Sequence, residues 1–297
     1  MIEFKSITLD DREFLVPRLS AAGSRDCNLS FVNLYSWQFL TRGSFAIIAD
    51  TPVIRFMLES ARVVYLVPVT SEHRKWIVEQ LLREAAERGE PLRLFGVFPS
   101  LAGWLDEDFP GRFHYRVNRD HFDYIYARQD LVDLKGKHLQ SKRNHVNKFR
   151  RTYPYEYVPL AAGLVPQCLA LEEEWCRQHG CAESESLLNE RKALTLALQH
   201  AGELQLLGGA IRVAGKMVAF AYGAPITDDT FGIHIEKADS SVDGAYNIIN
   251  QELARRVPEQ YTYINREEDL GLPGLRKAKL SYRPRFLLEK GFAEFHP

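Results

Sequence analysis

The chain has 297 residues, 45% hydrophobic and 26% charged, with a formal net charge of −1. That length suits two domains better than one, and the composition is ordinary for a globular protein. Near-neutrality excludes a generally basic nucleic-acid coat. The absence of any apolar run near about 18 residues argues against a membrane span, and Met1-Ile-Glu-Phe-Lys-Ser-Ile does not read as a signal peptide.

Asp10 to Ala22 and Asn28 to Leu40 read as helices. Ser44 to Ala49, Val53 to Leu58 and Arg62 to Val69 are β-branched and aromatic runs separated by short turns, and read as strands. Ser71 is a suitable N-cap for a helix through Ala85 that stops near Arg88-Gly89. Leu92 to Val97 is a strand, Pro99 to Leu105 a short helix, and Phe113 to Val117 and Phe122 to Tyr126 are strands.

From Lys135 to Arg151 the chain is rich in Lys, Arg and His and contains no acid. Leu131, Leu134, Leu139, Val146 and Phe149 recur at helical spacing, which predicts one basic helix over Asp130 to Tyr153, stopped by Pro154. A run of this kind is either a solvated face or an anion-binding wall.

The second half repeats the order of the first. Leu164 to Gln178 and Leu187 to His200 read as helices. Leu204 to Val213, Met217 to Ile226 and Thr230 to Glu236 form a strand meander. Gly244 to Val257 is a helix, Tyr261 to Asn265 a strand, Leu272 to Leu280 a helix docked by Leu272, Leu275 and Leu280, and Arg285 to Glu289 a strand. The repeated order predicts an internal structural duplication. It gives two mixed α/β units with largely antiparallel sheets, segmented as 1–130, a connecting helix 131–153, and 154–297. Cys27, Cys168, Cys176 and Cys181 show no framework spacing and are expected to be reduced in a cytoplasmic chain. Cys176-x-x-His179-x-Cys181 lacks a second ligand pair at a zinc spacing, so no metal is expected.

Two stretches can carry chemistry. In Thr230-Phe-Gly-Ile-His-Ile-Glu236, strand alternation puts Gly232, His234 and Glu236 on one face, a pairing able to move a proton. The bland alternative is an ordinary sheet face. Ser240, Ser241 and Asp243 then offer caps, and Gly244 and Ala245 open the N-terminus of the next helix to an anion. In the second stretch, Asn265 ends a strand and Arg276, Lys277 and Lys279 supply cations on a short helix. A salt-bridged helix answering Glu267, Glu268 and Asp269 is the alternative.

Asp123-Tyr-Ile-Tyr, Leu134-Lys-Gly-Lys, Ser141-Lys-Arg-Asn-His-Val-Asn-Lys-Phe149, Glu236-Lys-Ala-Asp, Asp243-Gly-Ala-Tyr and Tyr263-Ile-Asn-Arg-Glu-Glu-Asp-Leu-Gly…Gly274-Leu-Arg-Lys-Ala-Lys-Leu-Ser-Tyr282 together carry a resemblance. From Asp123 onward the chain resembles stand-alone bacterial proteins related to the C-terminal domain of phosphatidylglycerol lysyltransferase. That family is similar to the FemABX peptidyltransferases and has a tandem GNAT-type (acyl-CoA N-acyltransferase-like) fold. The resemblance implies transfer of an acyl or aminoacyl group to an amine or hydroxyl on a small molecule, peptide or lipid headgroup. The donor it implies is aminoacyl-tRNA or an acyl-CoA. Glu236, with His234, would take the proton. Asn265 and Tyr282 would orient the carbonyl, and Lys279 would meet the oxyanion. Lys142, Arg143 and Arg276, with Ser241, Gly244 and Ala245, would hold donor phosphates. Two features depart from the family pattern. The lysyltransferase's membrane segment is missing, and Lys237 to Ala245 does not keep the glycine-rich acetyl-CoA loop. The alternatives are a nucleotide- or RNA-binding protein that kept the fold without the chemistry, and an acetyl-CoA-dependent N-acetyltransferase.

Overall fold

The computed structural model describes residues 2–57, 62–66 and 72–296. The first elements are β1 (Lys5–Ser6), α1 (Arg12–Ala21), α2 (Phe31–Ser36), α3 (Gln38–Thr41), β2 (Ser44–Ile48), β3 (Thr51–Met57), β4 (Val63–Leu66), α4 (Arg74–Glu87), β5 (Arg93–Val97), α5 (Pro99–Asp108) and β6 (Phe113–Val117). There follow β7 (Asp123–Ala127), α6 (Arg128–Asp133), α7 (Gln140–Thr152), β8 (Tyr155–Pro159), α8 (Val165–His179), α9 (Glu185–Gln199), β9 (Leu207–Val213), β10 (Lys216–Pro225) and β11 (Thr230–Ala238). The last are α10 (Ala245–Arg256), β12 (Tyr263–Asn265), α11 (Pro273–Leu280), β13 (Phe286–Leu288) and β14 (Gly291–Phe295).

Two compact units emerge. One gathers Met1–Asp123, Glu268–Leu272 and Leu287–Pro297; the other gathers Tyr124–Glu267 and Pro273–Phe286. The expected segments 1–130, 131–153 and 154–297 are contiguous in sequence, whereas each unit is assembled from separated stretches.

There are two seven-stranded sheets, ordered β1-β2-β3-β4-β5-β14-β6 and β8-β9-β10-β11-β12-β7-β13. In each, the first four strands are antiparallel, the fourth and fifth are parallel, and the fifth and sixth are antiparallel. The architecture is mixed α/β with two mostly antiparallel sheets, as the element order indicates. The sixth place is filled by β14 in the first sheet and by β7 in the second, so it does not come from the run that supplies the other strands.

Patterning explains both cores. Ile77, Val78, Leu81 and Ala85 recur at helical spacing on α4 and are buried with Tyr65 and Leu94 of the first sheet. Strand β10 is an unbroken apolar run from Met217 to Tyr222, as befits a strand covered on both faces; α8 and α10 both pack on it.

Four expectations need correction. The basic helix is two helices: Leu134 adopts φ +50° and Gly136 φ +84°, which breaks the ladder between α6 and α7. Leu131, Leu134, Leu139, Val146 and Phe149 are nonetheless all buried. On α11 the apolar docking is reversed. Leu275 and Leu280 are 37% and 41% exposed, and Leu272 just before the helix is 54% exposed. Lys279 is buried instead, with its Nζ donating to Arg266 O at 2.6 Å. The sulfurs of Cys176 and Cys181 are bonded, brought together where Gly180 ends α8 in a left-handed conformation. They are therefore not metal ligands. Strands β8 and β14 were not expected. The Ser71 cap and the strand end at Val67 to Val69 lie outside the described residues.

Candidate active site

The site is built where β11 and β12 part. Their parallel register runs Thr230↔Tyr263, Phe231↔Ile264 and Gly232↔Asn265, and ends there, while β11 continues to Ala238. On the other side of β11, the ladder with β10 shifts register between Tyr222 and Gly223. A Cβ at Gly223 would come within 1.9 Å of Gly232 O, so only glycine permits this approach.

Side chains span the opening. Glu267, just past β12, accepts through Oε1 from His234 Nδ1 at 2.7 Å, and the His234 side chain is 4% exposed. With Glu267 ionised, the hydrogen sits on Nδ1 and the basic lone pair on Nε2. Arg266 Nε donates to Glu236 Oε2 at 2.9 Å, and Nη2 donates to the same oxygen. Asn250 Nδ2 donates to Glu236 Oε1 at 2.9 Å. Both Glu236 oxygens are thus engaged. The buried Asn265 turns its Oδ1 toward the Glu267 N–H at 2.6 Å, which fixes the turn carrying Arg266 and Glu267, the latter at φ +58°.

Arg266 is the hub that the sequence did not single out. Its carbonyl accepts from Lys279, and its guanidinium lies 4.9 Å from the Tyr282 ring and 5.6 Å from the Tyr126 ring. Burial opposes its charge, and Glu236 more than restores it, so its pKa is raised. Tyr282 accepts from Asn247 Nδ2 at 2.7 Å, and burial pushes its hydroxyl up to about 12. Lys142 lies 4.4 Å over the same ring, and burial together with the Arg266 charge lowers its pKa. Buried Arg266 Nη1 and Asn250 Oδ1 have no hydrogen-bond partner among the described residues. The cluster therefore keeps polar capacity unspent.

The structure divides the sequence-derived candidates. Glu236, His234, Asn265, Lys279, Tyr282 and Lys142 gather around Arg266 and Glu267. Arg143 is spent elsewhere, donating to Leu134 O and Gly136 O at 2.5 and 3.3 Å. Ser241 donates to Asp239 Oδ1 through both its backbone N–H and its hydroxyl. Gly244 lies under α7, where a Cβ would come within 3.1 Å of His145 O, and Ala245 is 1% exposed. Arg276 is half-buried on α11. The open basic surface is instead a groove of about 580 Å³ along α7, lined by Lys137, His138, Ser141, Asn144, His145 and Lys148. Asp243 accepts from Lys148 at 2.7 Å on its rim.

An opened parallel pair beside a four-strand antiparallel meander is the sheet of GNAT and FemX-like folds. At the level of fold the chain is similar to FemX (11% identity, 100% of this chain and 98% of that one, TM-score 0.53) and to a tandem GNAT protein from the clavulanic acid biosynthesis pathway (10%, 100% and 99%, 0.51). The family described as phosphatidylglycerol lysyltransferase, C-terminal, matches residues 20–292, and the chain belongs to it.

A conserved protein of unknown function from Bacteroides thetaiotaomicron VPI-5482 is 47% identical over the whole of both chains, with a TM-score of 0.97. L-PGS from Bacillus licheniformis shares the fold at 16% identity, covering 96% of this chain and 92% of that one, with a TM-score of 0.67. An uncharacterized protein of Mycoplasmoides gallisepticum is 23% identical over 177 residues, 59% of this chain. The match spans 56% of that curated relative's length. No helix among the described residues is long and apolar enough to cross a membrane.

Proposed function

We propose that the chain is an acyl- or aminoacyltransferase that moves an activated acyl group from a phosphate-bearing donor, aminoacyl-tRNA or an acyl-CoA, to an amine or hydroxyl. The observation that carries this reading is the pair of contacts, His234–Glu267 and Glu236–Arg266, spanning the opening between β11 and β12. A nucleophile attacking an activated carbonyl must lose a proton while an oxyanion develops. His234, oriented by Glu267, is the better proton acceptor of the two candidates, because both oxygens of Glu236 are committed to Arg266 and Asn250. Glu236 then positions Arg266. Arg266 Nη1, the Tyr282 hydroxyl and Lys142 supply the positive and hydrogen-bonding field for the oxyanion. The α7 groove suits the donor's phosphates.

The test is thermal protection by an acyl-CoA or by aminoacyl-tRNA, followed by transfer to an amine or hydroxyl acceptor. One donor should protect and transfer. Protection by neither would reject the reading. A second reading, RNA or nucleotide binding without catalysis, is favoured by the sequestered Glu236 carboxylate. It would show as protection by RNA with no transfer.

A further inference from the structure

The first unit holds a cavity of about 270 Å³ built from residues that have no part in the proposed transfer. Strand register shapes it. Glu294 on β14 stands between Arg93 on β5 and His114 on β6, and Phe292 stands between Phe95 and Arg116. Residues opposite one another across a ladder point to the same face, so these side chains share one side of the sheet. Leu94 and Ala293 point to the other side and are buried in the core with α4. Arg62, just before β4, and His296, just past β14, complete the rim, while Val64 and Phe292 supply apolar lining.

Three guanidinium groups thus meet one carboxylate in the lining. Arg93 Nε donates to Glu294 Oε2 at 2.6 Å. Arg62 and Arg116 are exposed and have no ion pair among the described residues. His296 Nε2 lies 3.9 Å from Glu294 Oε1, and the His114 and His296 rings meet edge-on with centroids 6.1 Å apart. Edge protection accounts for cations on β6, which is the last strand of its sheet. It does not account for Arg93 on β5 or Arg62 beside β4, because both strands lie inside the sheet. Cations gathered on one concave surface repel one another, and an anion between them relieves that repulsion.

We infer that this cavity binds the phosphate monoester of a small organic molecule. Such a group carries a charge of about −2 near neutral pH, which balances the three arginines less Glu294. Guanidinium forks match its oxygens, and Val64 and Phe292 offer apolar surface to the organic part. The volume suits a small molecule and is too little for a folded polyanion. The inference does not rest on the transfer chemistry, since every lining residue belongs to the first unit.

The test is isothermal titration of the full chain with phenyl phosphate, and with phenol as its uncharged analogue. Saturable binding is expected for the phosphate and not for phenol, and should weaken as salt is raised. Arg62→Gln with Arg116→Gln should weaken it about tenfold or more. The thermal midpoint should hold in that variant, because both side chains are exposed. Glu294→Gln should tighten binding, since it removes the carboxylate that competes with the phosphate for Arg93. No saturable binding, equal binding of phenol, indifference to the arginine pair, or weaker binding on Glu294→Gln would overturn the inference. So would loss of binding on Lys137→Gln with Lys148→Gln while the arginine pair keeps it, which would place the phosphate in the α7 groove.

Discussion

The two units carry the same strand order but treat buried charge differently. In the first, Lys290 is fully buried, and its Nζ donates to Asp26 Oδ1 at 2.6 Å and Asp123 Oδ1 at 2.9 Å, with Glu268 Oε1 at 2.7 Å. Burial raises the Asp123 pKa to about 6. Burial would also raise that of Glu268, but Lys290 and His121 hold it down at about 2. Asp26, Cys27 and Asp123 are grouped closely enough to attract a metal ion, yet the lysine ammonium already sits on two of them. In the second unit, Arg266 meets one carboxylate and Lys142 stacks on Tyr282 without any acid paired to it among the described residues. One arrangement is saturated; the other retains unspent donors. Saturation is what a structural cluster needs, and unspent capacity is what a reacting group can use.

Substitutions should separate the two. Lys290→Met leaves the buried Asp26 and Asp123 without their cation, takes one partner from Glu268, and should cost about 3–5 kcal/mol in denaturant unfolding. A loss under about 1 kcal/mol would show that the cluster is not a closed lock. His234→Gln should lower transfer by about a hundredfold or more with stability nearly kept. Glu236→Gln should act mainly by loosening Arg266, so adding back a carboxylate through Glu236→Asp should recover part of the activity. If Glu236→Gln is the more damaging of the two and aspartate recovers nothing, the proton acceptor is Glu236 and not His234.

Smaller effects follow from α8. Reduction of Cys176–Cys181 should lower stability by about 2 kcal/mol, measured as a shift in the urea midpoint. No shift would mean that the bond constrains little. Burial raises the Glu172 pKa to about 7, despite Lys237 at 3.6 Å. The folded chain therefore holds a proton that the unfolded chain has already released. This contribution is present below the ordinary carboxylate value and is lost as pH rises toward 7. Glu172→Gln should flatten that fall in stability between about pH 4.5 and 7. An unchanged pH profile would place the titration elsewhere.

Alternation along β11 put His234 and Glu236 on one face, and the structure brings both against the turn that follows Asn265. Arg266 escaped notice because Arg266-Glu-Glu-Asp269 reads as a charge run. Only the parting of β11 from β12, a long-range event, shows which of those charges face inward. The same limit applies to Lys279, whose burial depends on a carbonyl thirteen residues away in sequence. The break at Leu134 was hidden because apolar spacing continues across it, and the left-handed residue is a leucine where a glycine would have been the signal. Arg143 looked like a phosphate ligand for the same reason: the carbonyls it satisfies exist only once the helix is broken.

The exchanged sixth strands also bear on synthesis. A ribosome delivers β1 to β6 well before β14, so the first sheet waits with a gap between β5 and β6 until residues 291–295 emerge. The second sheet has the opposite schedule, since β7 is made before any strand it will join. Each waiting edge exposes backbone groups that a neighbouring nascent chain could pair with. Translation speed and chaperone occupancy over the second half should therefore govern the yield of the first unit.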